Sequence, residues 1–126
     1  MSSMNVAVLM GNLTKAPELR QIQEGVSVCR FRIGVNEAYT NRNGEKVEQT
    51  LFIDVETWEK QAESCAKFLD KGSQVVVEGR LKMDEWTTED GQKRTRTFVR
   101  ANRVQFAGRL REPEEEAAVA AGEPPF

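Results

Sequence analysis

Phe52 and Trp58 fall on the even positions of the segment Leu51 to Trp58 together with Asp54 and Glu56, while Leu51, Ile53 and Val55 take the odd ones. Side chains alternate between faces along an extended chain, so two large rings stand on the polar side of a strand whose other side is apolar. The segment Val75 to Trp86 repeats the arrangement, with Val75, Val77, Leu81 and Met83 in one register and Arg80, Lys82 and Trp86 in the other. Rings displayed beside cations suit single-stranded nucleic acid, because every base offers a π-face and every phosphate a negative charge. Catalysis is poorly supplied by comparison. There is no histidine to act as a base, no glycine-rich phosphate loop, and no pair of carboxylates spaced on one element for acid–base or metal work.

Further cations extend the pattern. Ser27 to Asn36 alternates with Cys29, Phe31, Ile33 and Val35 inward and Arg30 and Arg32 outward. If that strand pairs with the one carrying Asp54 and Glu56, cross-strand ion pairs compete with phosphate contact as the role of the two arginines. Arg94, Arg96 and Arg100 share one register of the last strand with Phe98, and we assign Arg94 and Arg96 to a phosphate track. Lys60, two residues beyond Trp58, joins the same set of contacts. Tyr39 lies past the end of the clean alternation, and the residues alone leave its role open.

These side chains need strands to hold them. Asn5 to Leu13 is expected as the first strand, with a bend at Ala16-Pro17, and Ser27 to Asn36 as the second. A polar loop is expected over Thr40 to Gln49, then a third strand over Thr50 to Trp58. Ala62, Cys65, Ala66 and Leu69 repeat at i, i+3, i+4 and i+7, which predicts a helix over Gln61 to Asp70 stopped by Lys71-Gly72. Ser73 to Trp86 and Lys93 to Phe106 are the fourth and fifth strands, joined through Glu89-Asp90-Gly91. An all-β chain of five strands with one helix between the third and fourth has the element order of an OB-fold barrel, a fold that binds oligonucleotides.

The 126 residues suffice for one domain, expected over residues 4–108. The formal net charge of −2 belongs to the remainder: residues 109–126 hold two arginines against five glutamates and no periodic apolar face, which predicts a disordered acidic tail. Any basic footprint on the body must therefore be local. Cys29 and Cys65 fall on apolar registers and in no metal-ligand spacing, so two buried free thiols are expected, with no metal and no cofactor. Reduced thiols point to the cytoplasm, and the start of the chain lacks the pattern of an export or membrane signal.

The runs Met4-Asn5-Val6 through Gly11-Asn12-Leu13, Pro17-Glu18-Leu19-Arg20, Phe52-Ile53-Asp54-Val55, Lys71-Gly72-Ser73-Gln74-Val75, Val77-Glu78-Gly79-Arg80-Leu81, and Trp86 ahead of Asp90-Gly91-Gln92 follow one another in order. In these the chain resembles the bacterial single-stranded DNA-binding protein family. The resemblance implies that Tyr39, Phe52, Trp58 and Trp86 stack on bases. It also implies a homotetramer of OB domains associated with the nucleoid, and recruitment of replication and repair proteins by a C-terminal tip, here Glu123, Pro124, Pro125 and Phe126. An OB-fold RNA binder and a protein-interaction scaffold are the alternative readings of the aromatic face.

Overall fold

Valine, isoleucine and phenylalanine at every second position favour extended chain, and the apolar sides of several such segments are removed from water only by curling round one another. The computed structural model describes residues 2–23 and 25–108. Its elements run β1 (Ala7–Leu13), β2 (Glu18–Gln21), β3 (Ser27–Thr40), β4 (Lys46–Trp58), α1 (Glu59–Phe68), β5 (Gln74–Thr87) and β6 (Lys93–Gly108). Neighbours follow the order β1-β5-β6-β4-β3, and β1 pairs again with β3 at Asn12 and Leu13, which closes a five-stranded ring. All of its pairings are antiparallel except β4 with β6, which run parallel over Asp54–Glu56 and Phe98–Arg100. This is the expected OB-fold barrel.

The core is the one the alternation predicts on β3, where Cys29, Phe31 and Ile33 meet Val55, Val75, Val77 and Val99. Helix α1 closes one end with Ala62 and Cys65 fully buried, as is Leu69 just after it, and Phe68 meets Phe106 of β6 at 6.2 Å between ring centroids. Both cysteines are free and buried. Burial pushes the Cys29 thiol up to about 11 and Cys65, which also has Cys29 nearby, up to about 12. At neutral pH both are therefore protonated and poor nucleophiles.

Several expectations need correction. The segment Thr40 to Gln49 is not a loop: β3 and β4 continue past the barrel as a paired arm, and only residues 41–45 turn. Asn41 makes that turn by accepting the N–H groups of Asn43 and Glu45 on its Oδ1, each at 2.9 Å, with Gly44 at φ 79°. A sixth strand, the four-residue β2, lies against Ser27–Arg30 along the edge of β3 that β1 vacates. The helix starts and stops about two residues earlier than predicted. Leu51, Leu81 and Met83, which the alternation places in the core register, are exposed: Leu51 and Met83 lie before or after the stretches that pair β4 with β6, and Leu81, though opposite the buried Val99, lies past Gly79, the last β5 residue that β1 pairs with.

The passage from β4 to α1 is abrupt. Trp58 is extended and Glu59 takes φ 57°, a left-handed conformation that costs a residue with a Cβ about 1–2 kcal/mol. Glycine lacks that penalty but loses more entropy on folding. Glu59→Gly should therefore raise the unfolding free energy by up to about 1 kcal/mol in urea titrations, whereas Glu59→Val should lower it. A lower value for the glycine variant would show that the junction is not strained.

Candidate nucleic-acid interface

The outer surface of β3, β4, β6 and β5 carries the predicted side chains, and two adjoining clefts run across it. The first, of about 370 Å³, has Trp58, Phe98, Val28 and Ile22 as apolar lining, with Arg20, Arg30, Lys82 and Arg100 as its cations and Glu18, Glu56 and Asp84 as its carboxylates. The second, of about 450 Å³, shares Glu18 and Arg30 and adds Lys15, Arg32, Asp54 and Arg96. Rings below and mixed charge above give a surface that can hold a flat apolar group and an anion side by side.

The register explains how these groups come together. Arg30 lies opposite Glu56 and Arg32 opposite Asp54 across β3 and β4, while Glu56 lies beside Arg100 across β4 and β6. The cross-strand alternative is realised: Arg30 Nε donates to Glu56 Oε2 at 3.2 Å, and Arg32 Nε donates to Asp54 Oδ1 at 3.0 Å. Both guanidinium groups stay about half exposed, so the pairs leave them open to a further anion. Arg96 lies with its Cζ 4.4 Å from the Phe98 ring centre and its Nη2 3.8 Å from Asp84 Oδ2 and 3.9 Å from Glu56 Oε2. Its Nε and Nη2 have no hydrogen-bond partner among the described residues.

Trp58 is held on two sides. Its Nε1–H donates to Glu56 Oε1 at 2.8 Å, and the Arg100 guanidinium lies 4.5 Å from its ring centre, within cation–π range. Phe52 is 58% exposed in mid-β4, opposite Gly34. A Cβ at residue 34 would come within 3.4 Å of the Phe52 ring, so glycine there lets the ring lie close against β3. Tyr39 is exposed on the β3–β4 arm opposite Val47, and Trp86 is 47% exposed near the end of β5 opposite Arg94. Gly91 (φ 83°) and Thr88 shape the β5–β6 turn, where the Thr88 hydroxyl donates to the Asp90 carboxylate and holds it below the usual carboxylate range.

Arg30, Arg32, Trp58, Lys82 and Arg96 thus converge on the clefts, whereas Tyr39, Phe52 and Trp86 flank them on the strands and arms. Lys60 is exposed on α1. Arg80 is exposed on β5 beside Arg100, and Arg94 is occupied in donating to Gln92. None of these last three lines either cleft. Phe98 shares its register with the arginines as predicted, and it is only 4% exposed, because Arg96 covers it. Sequence reasoning missed Lys15, Arg20 and Glu56 as cleft residues, and it set Arg100 aside. For Arg100 the signal was its shared register with Phe98, and for Glu56 its shared register with Trp58; Lys15 and Arg20 gave none. The proposed recruitment residues Glu123, Pro124, Pro125 and Phe126, and the whole predicted tail, lie outside the described residues.

Residues 4–107 match the single-strand binding protein family. The chain belongs to that family. Among its relatives, single-stranded DNA-binding protein A of Bacillus subtilis is 44% identical over 103 residues, a stretch that covers 82% of this chain and 59% of that protein. Single-stranded DNA-binding protein 2 of Listeria monocytogenes is also 44% identical over 103 residues, covering 82% and 63%. The chain therefore spans less than two thirds of the length of these relatives. Among solved structures, a deletion mutant of the single-stranded DNA binding protein from Thermus aquaticus superposes with TM-score 0.74 at 28% identity, covering 86% of this chain and 54% of that one. A Plasmodium falciparum SSB, solved in complex with ssDNA, superposes with TM-score 0.79 at 24% identity over 85% and 97% of the two chains, a likeness of fold. The family matches the barrel, and the two clefts lie entirely within the matched residues.

Proposed function

We propose that this chain is a non-catalytic protein that coats single-stranded DNA in replication, recombination and repair. The observation that carries the reading is the first cleft, where Trp58 and Phe98 lie between Arg30, Lys82 and Arg100 on the outer face of the barrel. Arg30, Arg32, Lys82 and Arg96 contact phosphates, while Tyr39, Phe52, Trp58 and Trp86 stack on bases. Stacking accepts any base, so binding is tolerant of sequence. Lys60, Arg80 and Arg94 lie outside the clefts and serve the path of the strand beyond them.

Assembly belongs to the same proposal. Met4, Val6, Val8 and Met10 are exposed at alternate positions in and ahead of β1, an apolar row that a second copy would cover on the way to a homotetramer. The tip Glu123 to Phe126 recruits replication and repair proteins, and the two buried free thiols fit a cytoplasmic, nucleoid-associated protein. Light scattering with and without oligo(dT) tests the assembly, and pull-downs comparing the parent with Phe126→Ala test recruitment.

The binding experiment is a fluorescence titration with poly(dT), poly(rU) and duplex DNA across a salt series. Tight quenching by poly(dT), weaker binding to RNA and almost none to duplex is expected. The logarithm of the binding constant should fall linearly with the logarithm of salt, at roughly −0.7 per phosphate neutralised. Lys82→Ala should make that slope shallower by something under one unit. A salt-independent parent, or equal affinity for duplex, would overturn the reading.

A further inference from the structure

A carboxylate is an unexpected neighbour for a polyanion. Glu56 nevertheless stands at the centre of the cleft face, and it is only 6% exposed. Taking a charge out of water costs several kcal/mol unless it is paired and hydrogen-bonded. Placing it in a phosphate-binding groove adds repulsion, so its presence calls for an offsetting role.

Its contacts supply one. Glu56 and Trp58 are two residues apart on β4 and so share a face. One carboxylate oxygen, Oε1, accepts the Trp58 indole N–H at 2.8 Å, and the other, Oε2, accepts the Arg30 Nε–H at 3.2 Å; Arg96 Nη2 lies 3.9 Å from Oε2, an ion pair without a hydrogen bond. Arg100, the neighbour of Glu56 on β6, lies 4.5 Å from the Trp58 ring centre. The indole is therefore fixed at its edge by a hydrogen bond and on one face by a guanidinium. A ring free to turn about its two side-chain torsions would have to be immobilised when a base stacks on it, and that ordering weakens binding.

We propose that Glu56 is a positioning residue: it holds the Trp58 ring and the Arg30 guanidinium in their binding orientations before DNA arrives. The proposal rests on the single-strand reading above for the purpose of the arrangement, but the clamp itself is measurable without DNA. The chain has two tryptophans, so each indole N–H is resolved against the other.

The parent protein gives the first measurement. The Trp58 indole proton should exchange with solvent at least about tenfold more slowly than that of Trp86, as a hydrogen-bonded, partly buried donor does. Equal exchange rates would overturn the clamp, whatever any variant does. In a Trp86→Phe background, where Trp58 is the only indole, Glu56→Val should raise the acrylamide quenching constant by about twofold and lower the emission anisotropy. Glu56→Gln, which keeps an acceptor oxygen for the indole, should restore both signals. In the Trp86-containing protein Glu56→Val should weaken binding of a labelled oligo(dT) by about three- to tenfold, the effect of one lost positioning hydrogen bond, with Glu56→Gln losing less. A folded Glu56→Val protein with unchanged quenching and anisotropy, or a Glu56→Gln protein as impaired as Glu56→Val, would overturn the proposal. A parent that ignores oligo(dT) but shows the slow indole proton would instead overturn the single-strand reading and leave the clamp without a binding role.

Discussion

Gly79→Ala should destabilise the protein by about 3 kcal/mol or more, which for a domain of this size lowers the melting temperature by roughly 10–20 °C. The strands β5 and β6 shift register between Glu78 and Gly79: Glu78 pairs with Arg103 and Gly79 with Ala101, leaving Asn102 as an extra residue on β6. That bulge lets Val99 and Ala101 before it, and Val104 and Phe106 after it, all contribute to the core. At this point the two backbones approach so closely that a Cβ on residue 79 would strike the Arg100 carbonyl oxygen, with Ala101 Cα at 2.8 Å and the Arg100 carbonyl carbon at 2.9 Å. All three are backbone atoms, so no side chain can turn aside to make room. The strand that must move is the one that closes the ring against β4. Gly108→Ala is the control, because among the described residues its Cβ would meet only the Gln74 side chain at 3.8 and 3.9 Å, and it should change stability by no more than about 0.5 kcal/mol. Urea denaturation of both variants decides the matter. A loss below about 1 kcal/mol at Gly79 would mean that the bulge relaxes and the crossing is not tight.

Trp86→Ala should weaken oligo(dT) binding by about 1–3 kcal/mol, a factor of roughly 5–150, while the melting temperature changes little. Trp86 is 47% exposed near the end of β5, in the part of the β5–β6 ladder that continues past the barrel, and it belongs to no core cluster. Its ring therefore contributes little to folding and is available for a base. Trp58→Ala should behave differently, losing stability as well as affinity, since that ring lines the cleft, bonds Glu56 and lies under Arg100. Measuring both quantities on both variants separates a stacking platform from a packing residue. Unchanged affinity together with a large drop in melting temperature for Trp86→Ala would show that the ring packs against protein in the assembled state.

Much of the barrel was legible in the residues. The alternation of Cys29, Phe31 and Ile33 and the helical stripe of Ala62, Cys65 and Leu69 named core positions correctly, because a strand with period 2 and a helix with period 3.6 each bury the face that is apolar. The order of elements then sufficed for an OB barrel. Alternation names a face, however, and not what covers it. Leu51, Leu81 and Met83 lie in apolar register yet are exposed, since at those points the strands outrun a neighbour that would cover them. Phe98 is on the polar register yet is buried, since Arg96 reaches over it from the same strand.

The sequence by itself determined which residues could form strands and one helix, which of them could fill a core, and which rings and cations share a face. Those are local properties, set by the geometry of a short stretch of chain. Tertiary structure alone decided the parallel contact of β4 with β6, which brings Arg100 beside Glu56 from more than forty residues away and lays its guanidinium on Trp58. It also decided the bulge at Asn102, the glycine crossing at Gly79, and the choice of Arg30 and Arg32 to pair with Glu56 and Asp54. Each depends on register between strands distant in sequence, and a shift of one residue would send every one of these side chains to the opposite face.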